Sequence, residues 1–250
     1  MGPPFPLNLI FSVRAFYIAF IALIIASMAA VGFGGLTGGQ RPPQPQPTPG
    51  ASPTPTAQAP GIKTYSGPQQ VVDPSKSYTA VVRTTKGEIR IRLYPDRAPL
   101  AVNSFVFLAR EGFYDGLVFH IVRRDPAYAF AQAGDPTCRA DGSLTCTGAG
   151  GPGYTLPLEQ SGLPHRRGAV ALAPIAGGTD LSGSQFYILL ADQPRLDGRD
   201  TVFGEVVAGM EVVEALTERN PCFQRPSKDN PCQEQPPAGD AILGIAIQEG

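Results

Sequence analysis

From Tyr78 onward the apolar positions fall into a rhythm of two. Tyr78 to Thr85 reads YTAVVRTT, Lys86-Gly87 makes a turn, and between Glu88 and Tyr94 the apolar Ile89, Ile91 and Leu93 alternate with Glu88, Arg90 and Arg92. Alternation with one polar face predicts a half-exposed antiparallel hairpin. Asp96-Arg97-Ala98-Pro99 then opens a helix, because proline fits a first turn. Val102, Phe105 and Ala109 recur at helical spacing, and Gly112 marks the end. Tyr114-Asp115-Gly116 turns into a short strand, Leu117–Val122, after which glycine and proline dominate as far as Pro164. Further strands are predicted at Ala169–Ala173, Gln185–Leu190, Thr201–Val207 and Ala241–Gln248. A second helix over Met210–Thr217 carries Met210, Val213 and Leu216 on one face. Many short strands with two helices predict a mainly β domain, a closed antiparallel barrel capped by the helices.

The N-terminal third follows other rules. Ala15 to Phe33 is an uncharged apolar run long enough to span a bilayer as a helix. Signal-peptide apolar regions are shorter, which favours a retained anchor; a cleaved signal peptide, cut near Ser27-Met28-Ala29, is the alternative. Arg14 precedes the run and the next positive charge is Arg41, so residues 1–14 are expected in the cytoplasm and the remainder outside it. Residues 34–76 begin with a stretch that holds eight prolines from Arg41 to Pro60 and no charge between Arg41 and Lys63. Such a sequence favours extended conformations and is expected to act as a spacer. The organisation expected is thus a transmembrane anchor at 15–33, a linker at 34–76 and one domain at 77–250, single-pass in the cell membrane with the domain extracytoplasmic.

Composition adds exclusions. The 20 Lys and Arg balance 21 Asp and Glu, for a net charge of −1, with no long run of one sign. A nucleic-acid partner is therefore not expected. The four cysteines form two local pairs, Cys138 with Cys146 and Cys222 with Cys232, in turn-rich segments without the Cys-x-x-Cys spacing of a zinc site. In an oxidising compartment each pair is expected to close a disulfide; reduced thiols are the alternative. His120 and His165 have no carboxylate at close spacing to build a metal site. Gly148 to Gly153 matches G-x-G-x-x-G, but no strand leads into it and no helix follows, so a dinucleotide site is rejected.

Five segments carry a family resemblance. YDGLVFH from Tyr114, FAQAGDPT from Phe130, GAVALA from Gly168, GSQFYILL from Gly183 and LDGRDTVFGEVVAGMEVVEAL from Leu196 occur in the order and separation seen in cyclophilins. The chain resembles that family from about Tyr78 to Gln248. The resemblance implies an eight-stranded barrel with a helix at each end, and a shallow outer groove where a substrate proline docks. It implies peptidyl-prolyl cis-trans isomerase activity, with no cofactor or metal, on proline-containing polypeptides. Phe119, Phe130, Ala173, Tyr187 and Leu196 resemble the apolar lining, and Gln132 resembles the glutamine that holds the peptide. A monomeric domain is expected.

The sequence departs from the family at several points. Phe119-His120 is followed by Ile121 where the family carries its catalytic arginine, and three extra residues precede Gln132. Arg195 replaces a frequent ring, and Asp200 stands where histidine is common. Side chains on a strand alternate, so Arg123 shares the face of Ile121 about 6–7 Å along. Arg123 is therefore the expected catalytic donor. A proline-peptide-binding module without turnover is the alternative.

Overall fold

The computed structural model describes residues 61–125, 128–175, 180–223 and 232–250. The first alternating segment forms β1 (Tyr78–Thr84) and β2 (Gly87–Leu93), antiparallel, with Tyr78 opposite Leu93 and Thr84 opposite Gly87. Ile89, Ile91 and Leu93 are buried, while Glu88, Arg90 and Arg92 face solvent. Helix α1 (Pro99–Arg110) follows with proline in its first turn. Its free N–H groups are met from a distance: Leu100 N and Ala101 N donate to the two carboxylate oxygens of Glu159 at 2.9 and 2.8 Å. A carboxylate there also suits the positive end of the helix dipole.

The remaining elements are β3 (Ile121–Arg123), β4 (Phe130–Ala133), β5 (Thr155–Leu156), β6 (Ala169–Pro174), β7 (Leu181–Leu189), β8 (Val202–Ala208), α2 (Met210–Glu214) and β9 (Ile242–Glu249). They form one curled antiparallel sheet in the order β3-β4-β7-β6-β8-β2-β1-β9, with β5 paired to β7. Helix α1 packs on β7, β8 and β9, and α2 on β2. Phe105 anchors the interior: its ring lies 5.4 Å from Phe186 and 5.3 Å from both Tyr114 and Phe203.

Several expectations change. The closed eight-stranded barrel is, among the described residues, a nine-stranded curled sheet whose end strands β3 and β9 do not pair as a ladder. Single bridges such as Val118–Ala241 tie the two ends together instead. The strand expected at Leu117–Val122 is reduced to β3, because Leu117 and Val118 bridge Arg139 and Ala241 rather than a continuous neighbour. Helix α2 stops at Glu214 instead of Thr217, since Thr217 N is taken by the Asp240 carboxylate at 2.6 Å.

The domain also begins earlier than residue 77. Tyr65 and Val71, placed in the linker by their surroundings, pack against the core, and Tyr65 meets Phe107 edge-on at 5.0 Å. Asn103 of α1 fastens this stretch, accepting from Val71 N and Val72 N through Oδ1 and donating to Gln69 O. The expected anchor at 15–33 lies outside the described residues, as does the proline-rich stretch through Pro60. Among the described residues no helix is long and apolar enough to cross a membrane.

Candidate active site

Register places two rows of side chains on the outer face of the sheet. Ile121 pairs with Gln132, Gln132 with Tyr187 and Tyr187 with Ala171; one row along, Arg123 pairs with Phe130 and Phe130 with Leu189. Directly paired residues share a face. The intervening Val122, Ala131, Ile188 and Val170 point into the main core. The outer rows rest on a separate apolar cluster of Ala169, Ala171, Ala173, Tyr187, Leu189 and Val202, against which Phe130, Leu163 and Leu196 pack.

Above this cluster lies a groove of about 190 Å³, with apolar walls from Tyr128, Phe130, Pro174, Tyr187, Leu189 and Leu196 and polar groups from Gln132, Gln193, Arg195 and Asp200. The Phe130 and Tyr187 rings are 5.9 Å apart and tilted by 60°. Tyr187 donates its hydroxyl to Asp200 Oδ2 at 2.7 Å. Burial pushes the Asp200 carboxyl above the usual range, against the opposing pull of that hydrogen bond and of nearby His165 and Arg199. Burial, and then the Asp200 charge, push the Tyr187 phenol up as well, so its proton stays in place. His165 stacks behind the Tyr187 ring and is held through Nδ1 by Asp197 at 2.9 Å.

The polar side of the groove is an amide pair. Gln132 Nε2 donates to Gln185 Oε1 at 2.9 Å, and Gln185 Nε2 donates to Gly150 O at 2.8 Å and Gly148 O at 3.3 Å. A buried amide without partners would cost a few kcal/mol, and this arrangement meets that need.

Two guanidinium groups flank the lip. The Arg123 guanidinium carbon lies 5.0 Å from the Tyr128 ring centroid and that of Arg195 4.3 Å from it. Arg123 also holds Asp125 Oδ2 through Nε at 2.9 Å and Nη2 at 2.8 Å. The Arg123 side chain is only 13% exposed.

Phe130, Gln132, Tyr187 and Leu196 thus come together in the groove, and Arg123 stands at its edge behind Tyr128. Ala173 lies beneath in the supporting cluster, while its neighbour Pro174 forms the wall. Phe119 is a correction. It is 0% exposed within the main core and cannot meet a surface peptide, because it lies on the inward side of the segment entering β3. Both disulfides, Cys138–Cys146 and Cys222–Cys232, are formed.

Sequence reasoning missed Gln185 and Tyr128 as site residues. Gln185 belongs to the quoted GSQFYILL segment, and a polar amide set inside an apolar strand run is the signal that could have found it. Tyr128 belongs to the extra residues before β4, an aromatic next to a residue chosen as donor.

A curled antiparallel sheet with two helices and an outer apolar groove flanked by amide and guanidinium groups is a cyclophilin-like arrangement. Residues 79–236 match the family described as cyclophilin type peptidyl-prolyl cis-trans isomerase/CLD. The chain belongs to that family. It is 44% identical over 130 residues to peptidyl-prolyl cis-trans isomerase B of Bacillus subtilis, a match covering 52% of this chain and 83% of the relative. A Helicobacter pylori peptidyl-prolyl cis-trans isomerase is 38% identical over 161 residues, covering 63% of this chain and 90% of its own. Among solved structures, a Cryptosporidium parvum cyclophilin type peptidyl-prolyl cis-trans isomerase superposes with a TM-score of 0.55 at 27% identity, covering 70% of this chain and 99% of that one.

Proposed function

We propose that the groove catalyses cis-trans isomerisation of X-Pro bonds in polypeptides, with Arg123 supplying the donor that the family places at the position of Ile121. Rotation about a prolyl amide crosses a barrier of roughly 18–20 kcal/mol because it destroys resonance. No bond is made or broken, so catalysis requires only that the twisted amide be bound more tightly than the planar one. The apolar wall of Phe130, Tyr187 and Leu196 takes the proline ring, and Gln132 holds the peptide backbone. A guanidinium then donates to the prolyl nitrogen as it loses conjugation and gains basicity.

The observation that carries this reading is the adjacency of Arg123 and Phe130 as direct strand partners at the edge of the groove. Arg123 is paired with Asp125, whose side chain is 42% exposed. To act as the donor, Arg123 exchanges this contact with Asp125 for the prolyl nitrogen. Arg195 is the second reading, because it lines the groove directly. A solved relative from Cryptosporidium parvum was obtained in the presence of the dipeptide Ala-Pro, which supports proline-containing substrates. Titrating an Ala-Pro peptide into the chain and following cis-trans exchange by NMR tests the proposal. Faster exchange supports it, and binding without faster exchange favours a module that only holds proline peptides.

The proposal extends to location: the domain acts outside the cytoplasm on exported or cell-surface polypeptides, anchored through residues 15–33. The two disulfides support this, since such bonds persist in oxidising compartments. N-terminal sequencing of the chain from its native membrane, with alkylation of thiols, tests it. A mature N-terminus near Ala30 refutes the anchor, and four free thiols refute the compartment.

A further inference from the structure

Behind the amide pair of the groove lies a chain of contacts that ends at a disulfide. Asp135 is wholly buried. Its Oδ1 accepts from Thr137 N at 2.8 Å and Thr137 Oγ1 at 2.7 Å, and its Oδ2 accepts from Gly150 N at 3.1 Å. Gly150 is therefore gripped at both ends, its N–H by Asp135 and its carbonyl by Gln185. Glycine is required there, because a Cβ would run into the Asp135 carboxylate.

The loop leading to Gly150 is pinned as well. Cys138 follows Thr137 and Cys146 precedes Thr147, so the disulfide brings the two threonines side by side. Thr147 N donates to Thr137 Oγ1 at 3.0 Å. From that fixed point the chain enters Gly148, which has φ +71° and would place a Cβ 2.6 Å from the ring of Phe223. Phe223 adjoins Cys222, so the second disulfide secures the other side of the same loop.

The consequence is directional. The carbonyls of Gly148 and Gly150 can only accept, so Gln185 must turn its NH₂ to the loop and its oxygen to Gln132. Gln132 must then turn its NH₂ toward Gln185. The loop carbonyls thus set which way both side-chain amides face.

We infer that Asp135 and the Cys138–Cys146 disulfide position the substrate-binding amide of Gln132, acting through Gly150 and Gln185. The inference rests on the groove being the peptide site. Asp135 is a positioning residue under this reading, since it lies too deep to meet a peptide.

The test uses the full-length chain and three variants: Cys138→Ser with Cys146→Ser, Asp135→Asn, and Thr137→Val. The Thr137→Val change is the mildest and keeps the test open if either of the others fails to fold. Val82→Ala, in the core strand β1, serves as a control for lost stability alone. Two quantities are read: the side-chain NH₂ signals of Gln132 and Gln185 in nitrogen-15 spectra, and kcat/KM for an Ala-Pro peptide. Each folded variant is expected to shift both amide signals and lower kcat/KM about five- to tenfold, chiefly through KM, since an oriented hydrogen bond acts on ground and transition state alike. Val82→Ala should leave both readouts unchanged. Unmoved amide signals in the folded cysteine and Thr137 variants overturn the inference. If the parent chain shows no turnover, the isomerase reading fails, while the amide signals still decide this one.

Discussion

Arg123 and Tyr128 meet at the lip of the groove, the guanidinium carbon 5.0 Å from the centre of the ring. Arg195 packs against the same ring at 4.3 Å. Tyr128 is thus in contact with two cations while forming part of the groove wall. The extra residues before β4 supply an aromatic wall in a chain that has an arginine at position 195. Cation–ring contacts of this kind contribute about 0.5–1 kcal/mol at exposed sites.

The floor of the groove is expected to depend on the Tyr187 ring more than on its hydroxyl. Tyr187→Phe removes the hydrogen bond to Asp200 but keeps the ring against Phe130. It is expected to hold kcat/KM within about threefold, whereas Tyr187→Ala opens the apolar floor and lowers it by more than about tenfold. Protease-free exchange measurements on one Ala-Pro peptide compare the two. Equal losses in both variants would assign the role to the hydroxyl instead.

Phe119 belongs to the fold and not to the groove. Replacing this wholly buried ring by alanine should reduce stability by about 3–5 kcal/mol. Its kcat/KM per folded molecule should stay within about twofold of the parent. Denaturant unfolding, with activity corrected for the folded fraction, checks both halves. A lost activity at full folding would return Phe119 to the site.

His120 makes folding sensitive to acid. Burial holds its pKa down at about 4, reinforced by Arg219 and opposed by the charge of Asp135. In the unfolded chain a histidine titrates near 6.5. The folded state therefore favours the neutral ring, and between these values the unfolded chain binds the additional proton. The stabilisation is complete above about pH 6.5 and is lost as the pH falls toward 4, by up to about 3 kcal/mol. Urea midpoints at pH 7 and pH 4 measure the loss, which should shrink in His120→Gln. An equal loss in that variant would place the acid sensitivity elsewhere.

Much of this architecture was readable in the sequence because it rests on period. The alternation of Ile89, Ile91 and Leu93 with charged residues gave β2 and its buried face directly, and Pro99 with Val102 and Phe105 gave α1. Local pairing likewise gave both disulfides. What escaped depends on contacts distant in the chain. Glu159 caps α1 across 58 residues, and Asn103 fastens residues 69–72 to the domain, so neither effect has a local pattern. The strand expected at Leu117–Val122 shortened for the same reason, its partners lying at Arg139 and Ala241.

The groove divides in the same way. Phe130, Gln132, Tyr187 and Leu196 were found through motif resemblance, and strand register then placed Gln132 beside Tyr187 and Arg123 beside Phe130. Phe119 departs from the expectation because the alternation that links Ile121 and Arg123 holds only within β3, and just before it both Phe119 and His120 are buried. The role of Gln185 behind Gln132 emerges only when the carbonyls of Gly148 and Gly150 are brought up against it.

The most direct test of the account compares the full-length chain with Arg123→Ala in NMR exchange on an Ala-Pro peptide, with Arg195→Ala measured alongside. A donor used only as the amide twists contributes little to ground-state binding. Arg123→Ala should therefore lower kcat/KM by about 100-fold while leaving peptide affinity within a few-fold. Arg195→Ala should change it by no more than about fivefold, through the groove wall. A parent chain that binds the peptide without accelerating exchange, or one whose acceleration survives Arg123→Ala intact, would contradict the account.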